Sequence, residues 1–123
     1  MAIKVQLHDC SARITMPRRF GSHMYRNFKD AYTPLLDNAT VHEIEIDFSK
    51  VLYIDSSVLD MLIQLRESAK AANKSVVLLN PSDVVLKVFN IANFSNIFNI
   101  QHSASTNIKN RRVLGERRVP DAP

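Results

Sequence analysis

Glycine and cysteine are scarce in this chain. Among its 123 residues only Gly21 and Gly115 are glycine, so no glycine-rich phosphate loop can be built. Cys10 is the single cysteine. It excludes an intrachain disulfide and fits a reducing, cytoplasmic setting. His8, His23, His42 and His102 fall on different segments, and no pair has metal-ligand spacing. No metal and no cofactor are therefore expected. No apolar run reaches the roughly 20 residues that a membrane helix needs. The opening MAIKVQLHD lacks the apolar core of a signal peptide.

What is present is ordinary for a soluble domain, with 46% hydrophobic and 23% charged residues. The length suits one domain with a real core. The net charge of +4 is unevenly placed. Residues 1–105 hold eleven Lys/Arg against ten Asp/Glu, whereas residues 106–123 hold five against two. The near-neutral body argues against a folded nucleic-acid surface. We expect a domain over 1–103 and a basic, disordered tail over 104–123, because that tail is polar and aperiodic.

Apolar periodicity supplies the elements. Ile3, Val5 and Leu7 alternate with polar residues, as do Ala12, Ile14 and Met16, which predicts a hairpin turning at His8-Asp9-Cys10-Ser11. Pro17 ends it. A helix is predicted over 23–36, capped by Ser22, with Met24, Phe28, Ala31, Tyr32 and Leu35 as its stripe and Pro34 inside it. The run 75–79 reads as a strand buried on both faces. A third helix over 83–92 is predicted to turn Val84, Val85, Val88 and Phe89 to the core. Ile97, Phe98 and Ile100 predict a last short strand. The order β-β-α-β-α-β-α-β implies a mixed sheet covered by helices, because strand–helix–strand crossovers give parallel pairs.

The stretch 44–72 organises the rest. Ile44, Ile46 and Phe48 alternate with Glu45 and Asp47, so Glu43, Glu45 and Asp47 read as a solvated strand face. Val51, Leu52, Tyr53 and Ile54 then bring the chain back toward the core. Asp55-Ser56-Ser57 precedes a helical run of Val58, Leu59, Leu62, Ile63, Leu65 and Ala69. Asp and Ser at that place are capping residues, since their oxygens accept the first free helix N–H groups. A hydroxyl there also suits a phosphate, because the helix N-terminus favours an anion. Ser56 has no evident histidine base or oxyanion motif, so an enzyme is not expected.

Tyr53-Ile54-Asp55-Ser56-Ser57-Val58-Leu59, between that strand and that helix, resembles the STAS domains of bacterial anti-sigma-factor antagonists. Asn80-Pro81-Ser82 after the next strand strengthens the likeness, which runs over about 3–100. Val58 and Asp60 stand where that family usually has glycine. The resemblance implies a single STAS-type α/β domain with Ser56 as phosphoacceptor. It implies an anti-sigma factor and serine kinase as partner when Ser56 is unmodified, release on phosphorylation, and restoration by a phosphatase. The partner surface is expected at Asp55, Ser56, Ser57, Asp60, Gln64 and Glu67. The alternatives are a STAS subunit that docks without switching, for example on a transport ATPase, a small-ligand or lipid-binding module in which Ser56 is only a cap, and a nucleic-acid or membrane-associated protein acting through its tail.

Overall fold

The hairpin forms first in chain order. In the computed structural model, which describes residues 3–102, strand β1 (Lys4–His8) pairs antiparallel with β2 (Ser11–Thr15). Asp9 makes the turn with φ of 55°. The other turns show how a chain so poor in glycine closes its loops. Asn73, Asn80 and Asn93 all take left-handed backbone with φ near 60°. Asparagine tolerates that region because its short polar side chain bonds locally. Asn73 and Asn93 each follow a helix C-cap, the position where glycine usually stands.

After β2 come a two-residue strand β3 (Arg19–Phe20), a 3-10 turn over Ser22–Met24 and helix α1 (Tyr25–Leu36). Strand β4 (Glu43–Asp47) follows, then the short β5 (Tyr53–Ile54) and helix α2 (Ser56–Ala71). Strand β6 (Ser75–Leu79), helix α3 (Asp83–Ile91), a 3-10 turn over Phe94–Asn96 and β7 (Asn99–Gln101) complete the described chain. The main sheet has the order β1-β2-β4-β6-β7, parallel except for the first pair. The mixed sheet with helices is the architecture expected. The additional β3–β5 ribbon is parallel, pairing Arg19 with Tyr53 and Phe20 with Ile54. The expected tail over 104–123 lies outside the described residues.

All six phenylalanines join one buried run. Phe28 meets Phe20, Phe20 meets Phe48, Phe48 meets Phe89, Phe89 meets Phe94 and Phe94 meets Phe98, with ring centroids 4.9–6.0 Å apart. Such pairs add to area burial through offset or edge-to-face geometry. This run fixes β3 against α1 and against the end of β4, which frames the loops where α2 begins.

Several expected placements differ. Ser22 does not cap α1 with its side chain; its own N–H donates to Asp55 instead. Asp47 is buried rather than solvated, because its carboxylate accepts the Ser49 N–H at 2.9 Å and turns the chain after β4. Leu52 and Tyr53 are 61% and 52% exposed, and only Val51 of that stretch is fully buried. Ile63 points outward, 37% exposed. Val84 is 67% exposed and Val88 is half-buried, since the roll of α3 gives the core to Val85 and Phe89. Pro34 does not shorten α1, which continues to Leu36.

Candidate functional site

Asp55 is the N-cap of α2, with extended φ and ψ of −110° and 176°. Its Oδ1 accepts the Ser57 N–H at 3.0 Å and its Oδ2 accepts the Ser22 N–H at 3.1 Å. One carboxylate thus closes the helix and ties it to the chain entering α1. Gly21 makes room for this. A β-carbon there would lie 2.8 Å from Asp55 Oδ2, closer than real contacts allow. The backbone of Gly21 is extended, so this glycine is needed for close approach and not for its dihedral freedom.

With Asp55 as the cap, Ser56 is the first residue of the helix proper. It is exposed, and among the described residues its hydroxyl has no hydrogen-bond partner. Ser57 is half-buried. The reading in which Ser56 is only a cap is therefore corrected: the capping atoms belong to its neighbour. Val58 is fully buried and packs in the core, away from the outer face of the helix. Asp60, by contrast, is exposed one turn on from Ser56. Residues four apart on a helix are neighbours, so hydroxyl and carboxylate share a side of the first turn.

The remaining expected partner residues are distributed along α2. Asp60, Gln64 and Glu67 are all exposed. Gln64 Oε1 accepts the Tyr25 O–H at 3.3 Å, at the seam with α1. Glu67 accepts from Arg66 at 2.9 Å. By the 1.5 Å rise per residue, Glu67 lies roughly 16 Å along the axis from Ser56. The helix thus places these side chains outward but does not gather them at the serine. Ile63 lies between them and was missed because it satisfies a helical apolar period.

The other missed feature lies at the C-terminal ends of β2 and β4. There a groove of about 650 Å³ opens between the chain leaving β2 and the chain leaving β4. A smaller hollow of about 320 Å³ adjoins it, lined by Arg19, Gly21, His23, Tyr53 and Asp55. The signal in the sequence was Arg18-Arg19 just past one strand and Lys50 just past its neighbour. Elsewhere among the described residues, no three His, Cys, Asp or Glu side chains converge as a metal site would require. No helix among them is long and apolar enough to cross a membrane.

A mixed sheet carrying an exposed serine at the start of its second helix defines a small α/β domain built around a helix N-terminus. The family model described as Mlab, STAS domain, matches residues 3–100, and the chain belongs to the STAS domain family. A STAS-domain containing protein of Pseudomonas aeruginosa (strain UCBPP-PA14) is 37% identical over 81 residues, covering 66% of this chain and 76% of that protein. Among solved structures, an anti-sigma-factor antagonist (STAS) domain protein from Planctomyces limnophilus has a TM-score of 0.74 at 15% identity, covering 84% of this chain and 92% of that one. The anti-sigma factor antagonist SpoIIAA is similar in its unphosphorylated form, with a TM-score of 0.65 at 18% identity over 84% and 89% of the two chains. Its phosphorylated form gives 0.67 at 17% over 84% and 92%. At these identities the solved structures establish the fold.

Proposed function

We propose that this protein is an anti-sigma-factor antagonist whose binding of an anti-sigma switch kinase is controlled by phosphorylation of Ser56. The observation that carries the reading is the exposed Ser56 hydroxyl at the start of α2, unpartnered among the described residues because Asp55 is the cap. A non-enzymatic binding role agrees with the family and its structural neighbours. In the unphosphorylated state the outer side of α2 and the loop before it contact the partner. A phosphate adds about −1.5 to −2 charge at that surface. Burying such a charge without a counter-ion costs several kcal/mol, enough to release a partner. A phosphatase then restores binding.

Mapping of phosphopeptides from protein isolated from its own cells tests this. Phosphate is expected on Ser56 and not on Ser57. Ser56→Ala should keep partner binding and Ser56→Asp should weaken it. Phosphate confined to another residue would overturn the assignment. Asp60→Arg and Gln64→Arg should lower affinity while leaving the fold intact.

A second reading, a STAS subunit that docks without switching, for example on a transport ATPase, is favoured by Asp60. Its carboxylate stands where a phosphate on Ser56 would be repelled. Like charges at this spacing cost roughly 0.2–0.5 kcal/mol when exposed. The helix N-terminus opposes that by about 0.3–1 kcal/mol. The balance leaves phosphorylation slowed and not forbidden, so Asp60→Asn should speed the cognate kinase at low salt. An intact-mass spectrum with no phosphoserine form under any growth condition would decide for the docking subunit.

A further inference from the structure

We propose that the groove at the C-terminal ends of β2 and β4 docks an acidic peptide segment of the protein partner, anchored by one bulky apolar side chain. The proposal rests on the partner-binding reading of α2 and names what that partner brings. Arg18, Arg19 and Lys50 line the groove together with Met24, Leu52 and Tyr53. Among the described residues, Arg18 and Lys50 have no acidic partner, and Arg19 sits 5.6 Å from the Tyr53 ring centroid. Asp55, the one carboxylate of the adjoining hollow, accepts two backbone N–H groups and offsets part of the charge at the Arg19 end. The Arg18 and Lys50 end of the groove therefore carries positive charge with no acidic partner among the described residues, beside the exposed Leu52 and Tyr53, and its complement is a chain that is acidic and has an apolar anchor.

The walls are already in place. The Leu52 and Tyr53 N–H groups both donate to the Arg18 carbonyl, at 2.8 and 3.3 Å, and β3 pairs with β5. A preformed groove spares the occupant the cost of ordering it. The volume lies in the range that holds a drug-sized group. Yet Leu52 and Tyr53 stay more than half exposed, so apolar surface remains accessible to an occupant from solvent. Arg19, His23 and Tyr53 line both the groove and the hollow that reaches Asp55, the residue before Ser56. The groove and the hollow together therefore reach the residue before Ser56. Phosphate on Ser56 would add negative charge next to that end and oppose an acidic peptide.

The probe is a fluorescent pool of nine-residue peptides, each with Phe or Leu at the centre and Asp or Glu at the flanking positions. Binding to the full chain is read by anisotropy. We expect saturable binding that Arg18→Glu with Lys50→Glu weakens by about tenfold or more, and Tyr53→Ala to a similar degree. A pool with Lys in place of the acids should not bind, and Ala in place of the anchor should bind weakly. Thermal melts of each variant separate loss of the groove from loss of the fold. The proposal fails if the acidic pool does not bind, or if folded charge-reversal protein binds it as wild type does. It fails also if phenyl phosphate displaces the pool at equal concentration, which would mark a small-anion site. Phosphopeptide mapping is read separately. No peptide binding with phosphate on Ser56 sinks the groove and leaves the switch; peptide binding unaffected by Ser56→Asp, with no phosphoserine, does the reverse.

Discussion

Glu43 carries a cost that the fold imposes on a single residue. It lies in β4 on the same side as Glu45, where Arg13 Nε donates to Glu45 Oε1 at 3.0 Å, and among the described residues Glu43 has no cation of its own. Burial raises the Glu43 pKa from its ordinary value, and a hydrogen bond to Glu45 and the charge of Glu45 raise it further. A raised carboxyl pKa means that the folded state holds the proton more tightly than the unfolded one. The contribution to stability is then complete below the unfolded value, about 4.3, and is lost as pH rises through the folded value. Glu43→Gln stays neutral throughout and keeps a donor toward Glu45. Urea denaturation should therefore find the variant more stable than wild type at pH 7 and little changed at pH 4; an equal difference at both would remove the electrostatic cause. Sequence reading placed Glu43, Glu45 and Asp47 on one solvated face, because alternation reports which side a residue takes and not how deeply a loop covers it. The Asp55 cap had the same limit. Either Asp55 or Ser56 has the chemistry to cap α2, and only the extended backbone at Asp55 decides between them.

At the level of elements, the strands and helices were legible because their periods are strong. The β3–β5 ribbon was not, since two-residue strands have no period to read. The orientation of α3 was ambiguous for a different reason: the helix is apolar on two sides. Val85 and Phe89 form one row and Val84, Val88 and Ile91 another, and local spacing cannot say which row meets the sheet. The contact of Phe89 with Phe48 and Phe94 settles it, leaving Ile91 78% exposed. The two neighbouring valines should therefore respond differently. Val85→Ala removes two buried methyl groups and should cost about 2 kcal/mol, toward the low end of large-to-small core changes. Val84→Ala should stay within about 0.5 kcal/mol, as surface substitutions do. Chemical denaturation of both variants checks this, and equal losses would mean that something covers Val84 in the folded protein.

The whole molecule divides its charge along its length and its core along its middle. Among the described residues, the buried hydrophobic cluster lies between Ala12 and Phe98, and the last sheet pairing ends at Gln101. The Asn80 N–H closes that edge on the Gln101 carbonyl at 2.7 Å. The described cluster and sheet are thus made without residues 104–123, which carry five of the sixteen basic residues. We propose that the domain over 1–103 is the folding unit. Its melting temperature should match that of the full chain to within about 2 °C, the shift that roughly half a kcal/mol produces in a domain of this size. Its denaturant slope should fall only slightly, because that slope follows the surface exposed on unfolding. A loss well beyond that would mean that residues 104–123 pack on the body, and the α3 row with Val84 and Ile91 exposed and Val88 half-buried is the apolar surface that they would cover. The same truncation in the Val84→Asp background distinguishes the two cases. If the tail covers that row, the aspartate alone lowers the melting temperature and truncation then adds little. If it does not, neither change has a substantial effect, and the exposed row stands outside the fold's own stability.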